Sequence, residues 1–479
     1  MTRHQTPQRA SGRVPVQNGS VPPALADFCS RILNLAAFPG IIHSIYPAKH
    51  FMLFKKVKYR NPWTFVPSLY FIQGLPNVII TGVLDILYKR MGLEIDVITS
   101  WTGLLNLPWT IKMLWAPWVD IYSTKRNWIL AAQLAGMCCL TVAAFSLQLP
   151  NFFVLSLLAF TVAAFMSATY DIAADGFYML ALTPEQQAFF AGIRNVFFRI
   201  AILFSTGFLV VFAGQLEEST GNIPLSWTLT LGLSALILGA TVIYHKLILP
   251  YPEEKYQPAE PQPERTQETV PFSEIIKSYF QQNKVAATLA FILMYRFAEV
   301  MLGKIAKLFL LDSADKGGLA IATKQVGFIY GTVGVFSLIA GGVIGGALIS
   351  KYGLRKSILP MAFALNLPDL VYVYMAYTHP PIQVVYGLVS IEQFGYGLGF
   401  TAFMVYLMYA AQGEYKTSHY AISTGFMALG RTLAEVLSGH IQKAVGYPEF
   451  FIIVCLLTIP GMLTIFFLPL DEVDGVQRS

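Results

Sequence analysis

Charge is scarce in this chain: 13% of its 479 residues are Asp, Glu, Lys or Arg, against 55% hydrophobic residues. A soluble domain carries about twice that charge, so a free-standing soluble fold is excluded. Cysteine is equally sparse. Cys29, Cys138, Cys139 and Cys455 lie in or near apolar segments without metal-ligand spacing, so neither a disulfide framework, a metal site nor any cofactor is expected. There is no His or Cys cluster and no nucleotide-binding loop, which argues against a membrane-embedded enzyme. The apolar stretches lack the period-two alternation of a membrane barrel. The net charge of +6 reads as basic loops on one face of a bilayer, and nothing points to nucleic acid.

What the chain does have is a succession of apolar runs of about 20 residues, the length that crosses a bilayer as a helix. Twelve spans are expected, at about 63–87, 98–118, 128–148, 151–182, 188–214, 224–248, 284–311, 325–350, 357–378, 381–411, 416–442 and 447–469. The fold class is therefore an all-α, multi-pass membrane protein. Residues 1–60 form an N-terminal extension, polar in its first twenty residues and expected to be partly disordered. Within it, Phe28 to His43 is too short to span and suits an interfacial helix. On the competing reading, the chain would start at Met52, which is followed by Lys55, Lys56, Lys58 and Arg60. Two six-helix bundles, 61–249 and 284–470, flank a charged, Pro/Glu-rich linker at 250–283, and 471–479 is a tail.

Lys and Arg in the loops set the expected orientation. The N-terminal segment, Lys125 and Arg126, the linker, and Lys351, Arg355 and Lys356 would be cytoplasmic, with both termini inside. Lys89, Arg90, Lys316, Lys324 and Lys443 are the exceptions on the opposite face. The halves look like repeats: Arg199 is followed eight residues later by Gly207, and Arg431 eight residues later by Gly439. Parallel six-plus-six repeats around a midplane site describe the major facilitator architecture. The stretch Gly346-Ala-Leu-Ile-Ser-Lys-Tyr-Gly353-Leu-Arg355-Lys356 resembles that superfamily's loop motif, with Ser350 in place of the usual acidic residue. The first-half counterpart keeps Asp120, Lys125 and Arg126 but lacks the glycines. These loop residues are candidates for the conformational switch.

The fourth span holds two carboxylates, Asp171 and Asp175, one helical turn apart and in line with Ser167 and Tyr178. An ionised Asp at mid-bilayer costs about 3 kcal/mol on insertion scales. Like-charge repulsion from a second Asp favours one of the two holding a proton. The competing reading is a pair that tethers cations on neighbouring helices. Other polar stripes carry Gln73, Asn77, Thr81 and Asp85; Asn106, Trp109 and Lys112; Arg296, Glu299, Lys304 and Lys307; Glu392 and Gln393; and Arg431 with Glu435. Arg296 with Glu299, and Arg431 with Glu435, have intrahelical ion-pair spacing. Facing a cavity, the same arginines would grip an anionic solute with paired hydrogen bonds. Asp85, Lys112, Lys304 and Lys307 lie nearer span ends, where snorkelling to the interface is the first expectation. The glycines of 341–346 suit close helix packing.

Several of these pieces, in this order, resemble the AmpG-type muropeptide permeases, the branch of the major facilitator superfamily that includes the acetyl-CoA transporters. They are Lys112-Met-Leu-Trp-Ala-Pro-Trp-Val-Asp120-Ile-Tyr122, Asp171-Ile-Ala-Ala-Asp175, Pro184-Glu185 leading to Arg199 and Gly207, Glu392 before Gly397-Leu-Gly-Phe-Thr-Ala-Phe403, and Gly430-Arg431 with Gly439. The resemblance implies proton-driven import of GlcNAc-anhydroMurNAc, with or without peptide, across a bacterial inner membrane; a monomer whose two halves rock to alternate access is expected. Other sugars and organic anions, acetyl-CoA-like solutes among them, are the rival substrates. Proton-linked roles would fall to Asp171, Asp175, Glu299 and Glu392. Substrate contacts would fall to Gln73, Asn77, Lys112, Tyr178, Arg199, Arg296, Gln393 and Arg431. The N-terminal extension and the charged Arg296/Glu299 cluster depart from the family pattern and point to a subgroup.

Overall fold

Apolar run length and proline position explain most of the helical layout. The computed structural model describes residues 60–252, 272–411 and 416–470, so the N-terminal extension, most of the linker and the tail lie outside the described residues. Every regular element among the described residues is helical. Six helices form the first half: α1 (Pro62–Arg90), α2 (in pieces from Ile95 to Tyr122), α3 (Lys125–Ser146), α4 (Phe152–Ala181), α5 (Pro184–Ile202, continuing to Thr220) and α6 (Ile223–Ile248). Six more form the second: α7 (Val285–Leu311), α8 (Thr323–Tyr352), α9 (Leu354–Thr378), α10 (Ile382–Ala410), α11 (Lys416–Val445) and α12 (Tyr447–Phe467). Ten of these are long and apolar enough to cross a membrane; α2 is broken and α11 carries many polar side chains.

The expected uninterrupted second span is corrected. It consists of Ile95–Leu104, Leu107–Ile111, Lys112–Leu114 and Ala116–Tyr122. Pro108 and Pro117 each remove a backbone donor and disfavour helix at the residue before them. The linker is also more structured than expected at its end, where Phe272–Phe280 is helical. In α9, Pro368 sits in a 3-10 turn, Leu367–Asp369, that interrupts the span.

The halves meet along two equivalent crossings, α5 on α8 and α2 on α11. Wide π turns at Leu203–Leu209 in α5 and Ile329–Gly334 in α8 face each other. A Cβ on Gly207 would lie 3.0 Å from the Gly331 carbonyl, and one on Gly439 would collide with Thr99 of α2. The repeated glycines thus occupy matching crossings, one per half. They let the backbones approach where a larger residue would hold them apart.

Most polar bonds across the halves lie toward the end where α1 and α7 finish. Lys89 reaches Asp312 at 2.7 Å, Lys443 reaches Asp96 at 2.9 Å, and Lys324 reaches Gln215 and Glu218. Arg90 pairs with Glu217, which also accepts a hydrogen bond from Thr323 of α8. Four of the five basic residues that break the loop-charge pattern are therefore held in ion pairs, which accounts for their presence on the otherwise poorly charged face.

Candidate functional site

The two aspartates of α4 are not equivalent. Asp171 is buried, and Lys112, from the 3-10 break in α2, reaches its Oδ2 at 3.3 Å. Its Oδ1 and the neighbouring Ser167 hydroxyl are buried without a hydrogen-bond partner. Asp175 was expected at the same depth, but its side chain is 40% exposed. It lies six residues from the end of α4, about 9 Å along the axis, where water reaches it. Tyr70 of α1 donates to its Oδ1 at 3.0 Å, and the guanidinium of Arg194 in α5 stands 3.6 Å away. Arg194 also donates to the Tyr70 hydroxyl and lies over the Tyr70 and Tyr178 rings. Tyr178 itself donates to the Gln187 carbonyl. Each aspartate therefore has a cation from another helix.

Arg194 was missed by sequence reasoning, which chose Arg199. Five residues further on, Arg199 is exposed and joins no ion pair among the described residues. The available signal was weak: Arg194 lies ten residues after the start of α5, about one turn deeper than Asp175 on the antiparallel α4, a gap that a long arginine side chain spans. Gln73 and Asn77 of α1 are half-buried.

Of Asp85, Lys112, Lys304 and Lys307, all expected to snorkel, Asp85 and Lys304 are instead buried. Lys304 of α7 is 5% exposed, and its Nζ lies 2.9 Å from Asp85 of α1 and 3.2 Å from Glu435 of α11. Thr102 of α2 donates to Asp85, while Asn106 of α2 and Arg431 donate to Glu435. One lysine thus gathers four helices from both halves. It lies seven residues from the end of α7, about 10 Å inward, too deep for its ammonium to reach the near interface. Lys307 follows three residues later, nearer that end, half-buried and 5.9 Å from the Tyr330 ring.

Arg296 sits where α7 breaks, at φ −104° and ψ 0°. It holds Glu299 at 3.0 Å, donates to Tyr396 and lies over the Phe400 ring. With Phe297, Met427 and Arg431 it lines a small cleft between α7 and α11. Both intrahelical ion pairs therefore form, and both arginines also border the cleft. In α10, Gln393 donates to the carboxylate of buried Glu392, and Tyr372 of α9 donates to it at 3.3 Å.

The switch-loop residues divide. Arg126 ties α3 to the end of α6 by donating to the carbonyls of Lys246 and Leu249, and it covers the Tyr251 ring. The stem of Lys125 packs on Gly176, beside Asp175. Gly353 has φ +79°, a value that favours glycine, and it separates α8 from α9. Gly346 faces open space, and Arg355 and Lys356 are exposed. The side chain of Asp120 lies outside the described ones.

The family model of the Major Facilitator Superfamily matches residues 68–435. A Rickettsia felis protein bearing the name AmpG 4 is 25% identical over 419 residues, covering 83% of this chain and 94% of the relative. The anhydromuropeptide permease of Escherichia coli K12 is 23% identical over 399 residues, covering 82% and 77%. Among solved structures, the nucleoside transporter NupG superimposes with a TM-score of 0.61 at 14% identity, over 84% of this chain and 97% of that one. At that identity the likeness concerns the fold alone.

Proposed function

The chain belongs to the Major Facilitator Superfamily, a transporter rather than an enzyme, and we propose that it imports anhydromuropeptides, GlcNAc-anhydroMurNAc with or without peptide, in symport with protons. The observation that carries the reading is the Asp171–Asp175 stripe, with Lys112 and Arg194 supplied by two other helices. Carboxylates within membrane spans, buried as at Asp171 or partly wetted as at Asp175, are expensive and usually serve ions or substrates. Here they occur in a chain whose relatives include an anhydromuropeptide permease. Protonation of Asp171 releases Lys112 and removes a buried charge, which lowers the cost of reorienting the loaded carrier.

In this reading the protein lies in a bacterial inner membrane with both termini cytoplasmic. The cross-half ion pairs around Lys89, Lys324 and Lys443 then close the periplasmic side, and Asp175 and Arg194 lie toward the cytoplasmic end of α4. Arg296 and Arg431 bind the carboxylates of the peptide, and Gln73, Asn77 and Gln393 bind sugar hydroxyls and amides. Those arginines at the cleft equally suit another organic anion, acetyl-CoA-like solutes included, and that is the second reading.

Uptake of labelled GlcNAc-anhydroMurNAc and its peptide form into proteoliposomes, with and without an imposed proton gradient, tests the proposal. Gradient-dependent accumulation is expected. Absence of uptake by a folded protein, with accumulation of another anion instead, overturns the muropeptide assignment.

A further inference from the structure

Asp369 is among the acidic residues not singled out from the sequence. It ends the 3-10 turn that Pro368 imposes on α9, and it is 1% exposed. Both of its carboxylate oxygens are buried without a hydrogen-bond partner. Glu392 of α10, Glu299 of α7 and Cys455 of α12 lie within electrostatic range of it. Glu299 is engaged by Arg296, and none of the ion pairs among the described residues includes Asp369. Glu392 is differently placed: it accepts hydrogen bonds from Gln393 and Tyr372, and the Tyr372 hydroxyl is bonded in turn to Tyr330 of α8. Tyr330 belongs to the π turn of α8 that faces α5, and its ring lies 5.9 Å from Lys307, whose ammonium stands beside Gly82 of α1.

An ionised carboxylate with neither a cation nor a hydrogen-bond donor is the most costly group a protein interior can hold, whereas the neutral acid is tolerated there. Two carboxyl groups in one buried site cannot both ionise cheaply, so they tend to hold one proton between them. Glu392 has the donors that stabilise an anion and Asp369 has none, which assigns the proton to Asp369.

We propose that Asp369 and Glu392 form a second proton-binding site, wholly within the second half, with Asp369 carrying the proton in this conformation and the Tyr372–Tyr330 hydroxyls linking the site to the interface between the halves. The site is separate from the Asp171–Asp175 stripe of α4. Its part in coupling rests on the symport reading; its protonation does not.

Infrared difference spectroscopy on the full chain in lipid nanodiscs, without any solute, tests the proton assignment. The spectrum of the wild type minus Asp369→Asn is expected to show a lost protonated-carboxyl C=O band, and that of the wild type minus Glu392→Gln a lost carboxylate band. A lost carboxylate band for Asp369→Asn overturns the assignment. Should that variant fail to fold, Asp369→Glu serves instead: a shift of the C=O band supports the proposal, and a shift confined to the carboxylate region refutes it. For coupling, Asp369→Asn is expected to exchange solute across the membrane while losing gradient-driven accumulation; unchanged accumulation removes the coupling role. Because the infrared result needs no solute, it stands or falls independently of the muropeptide assignment.

Discussion

Replacing Lys304 by methionine keeps its length and removes its charge. In the conformation described here, that leaves Asp85 with the Thr102 hydroxyl as its close donor, whereas Glu435 retains Arg431 and Asn106. Removing one partner of a buried ion pair costs about 3–5 kcal/mol. Because Glu435 stays compensated, the lower figure applies, about 3 kcal/mol. The penalty falls only on conformations in which α1, α7 and α11 remain together, since separating the halves gives Asp85 water. A difference of that size shifts the balance between closed and open forms roughly a hundredfold. Spin labels at Glu94 and Lys316, exposed positions in loops of opposite halves, report the change as a distance distribution in a background lacking the four native cysteines. A new population at longer distance is expected for Lys304→Met. It should retreat when Asp85→Asn is added, because the uncompensated charge is then gone. An unchanged distribution with an unchanged Tm would refute the view that Lys304 fastens the halves.

Gly439→Ala forces a methyl group into Thr99 at the α2–α11 crossing; overpacking of about 1–3 kcal/mol should lower Tm, and Gly192→Ala, where a Cβ meets nothing within 4 Å, should not. Lys443→Ala removes a pair whose lysine side chain is 56% exposed, so Tm should be unaltered within error, in contrast to Lys304→Met. Asp171→Asn and Asp175→Asn are each expected to abolish gradient-driven uptake, and unchanged pH-dependent uptake in either would remove that aspartate from the coupling. Arg194→Gln, which strips Asp175 of its cation, should impair uptake more than Arg199→Gln, measured in the same vesicles.

How far the sequence reached depended on whether a feature is local. Apolar run length is local, and it located the membrane-length helices; the prolines at 108, 117 and 368 were visible as well, yet what they would do to α2 and α9 depends on packing. The Arg/Gly repeat identified the matching glycines because each half must solve the same crossing. Charges were harder, since cost depends on partners that a single span does not display. Lys304 read as a residue near a helix end, and its burial follows from Asp85 and Glu435 arriving from two other helices. Lys89, Lys324 and Lys443 stood out only as exceptions to the loop-charge pattern; that exception was itself the signal, because a cation on the poorly charged face needs a local reason such as an anion across the interface. Asp369 gave the faintest mark, one acid after a proline in an apolar helix. Its significance lies in the absence of any donor around it, which no linear pattern encodes. Positions of this kind, acidic, next to a helix-breaking proline and far from any basic residue in sequence, are where a search for proton-holding groups in other twelve-helix chains should begin.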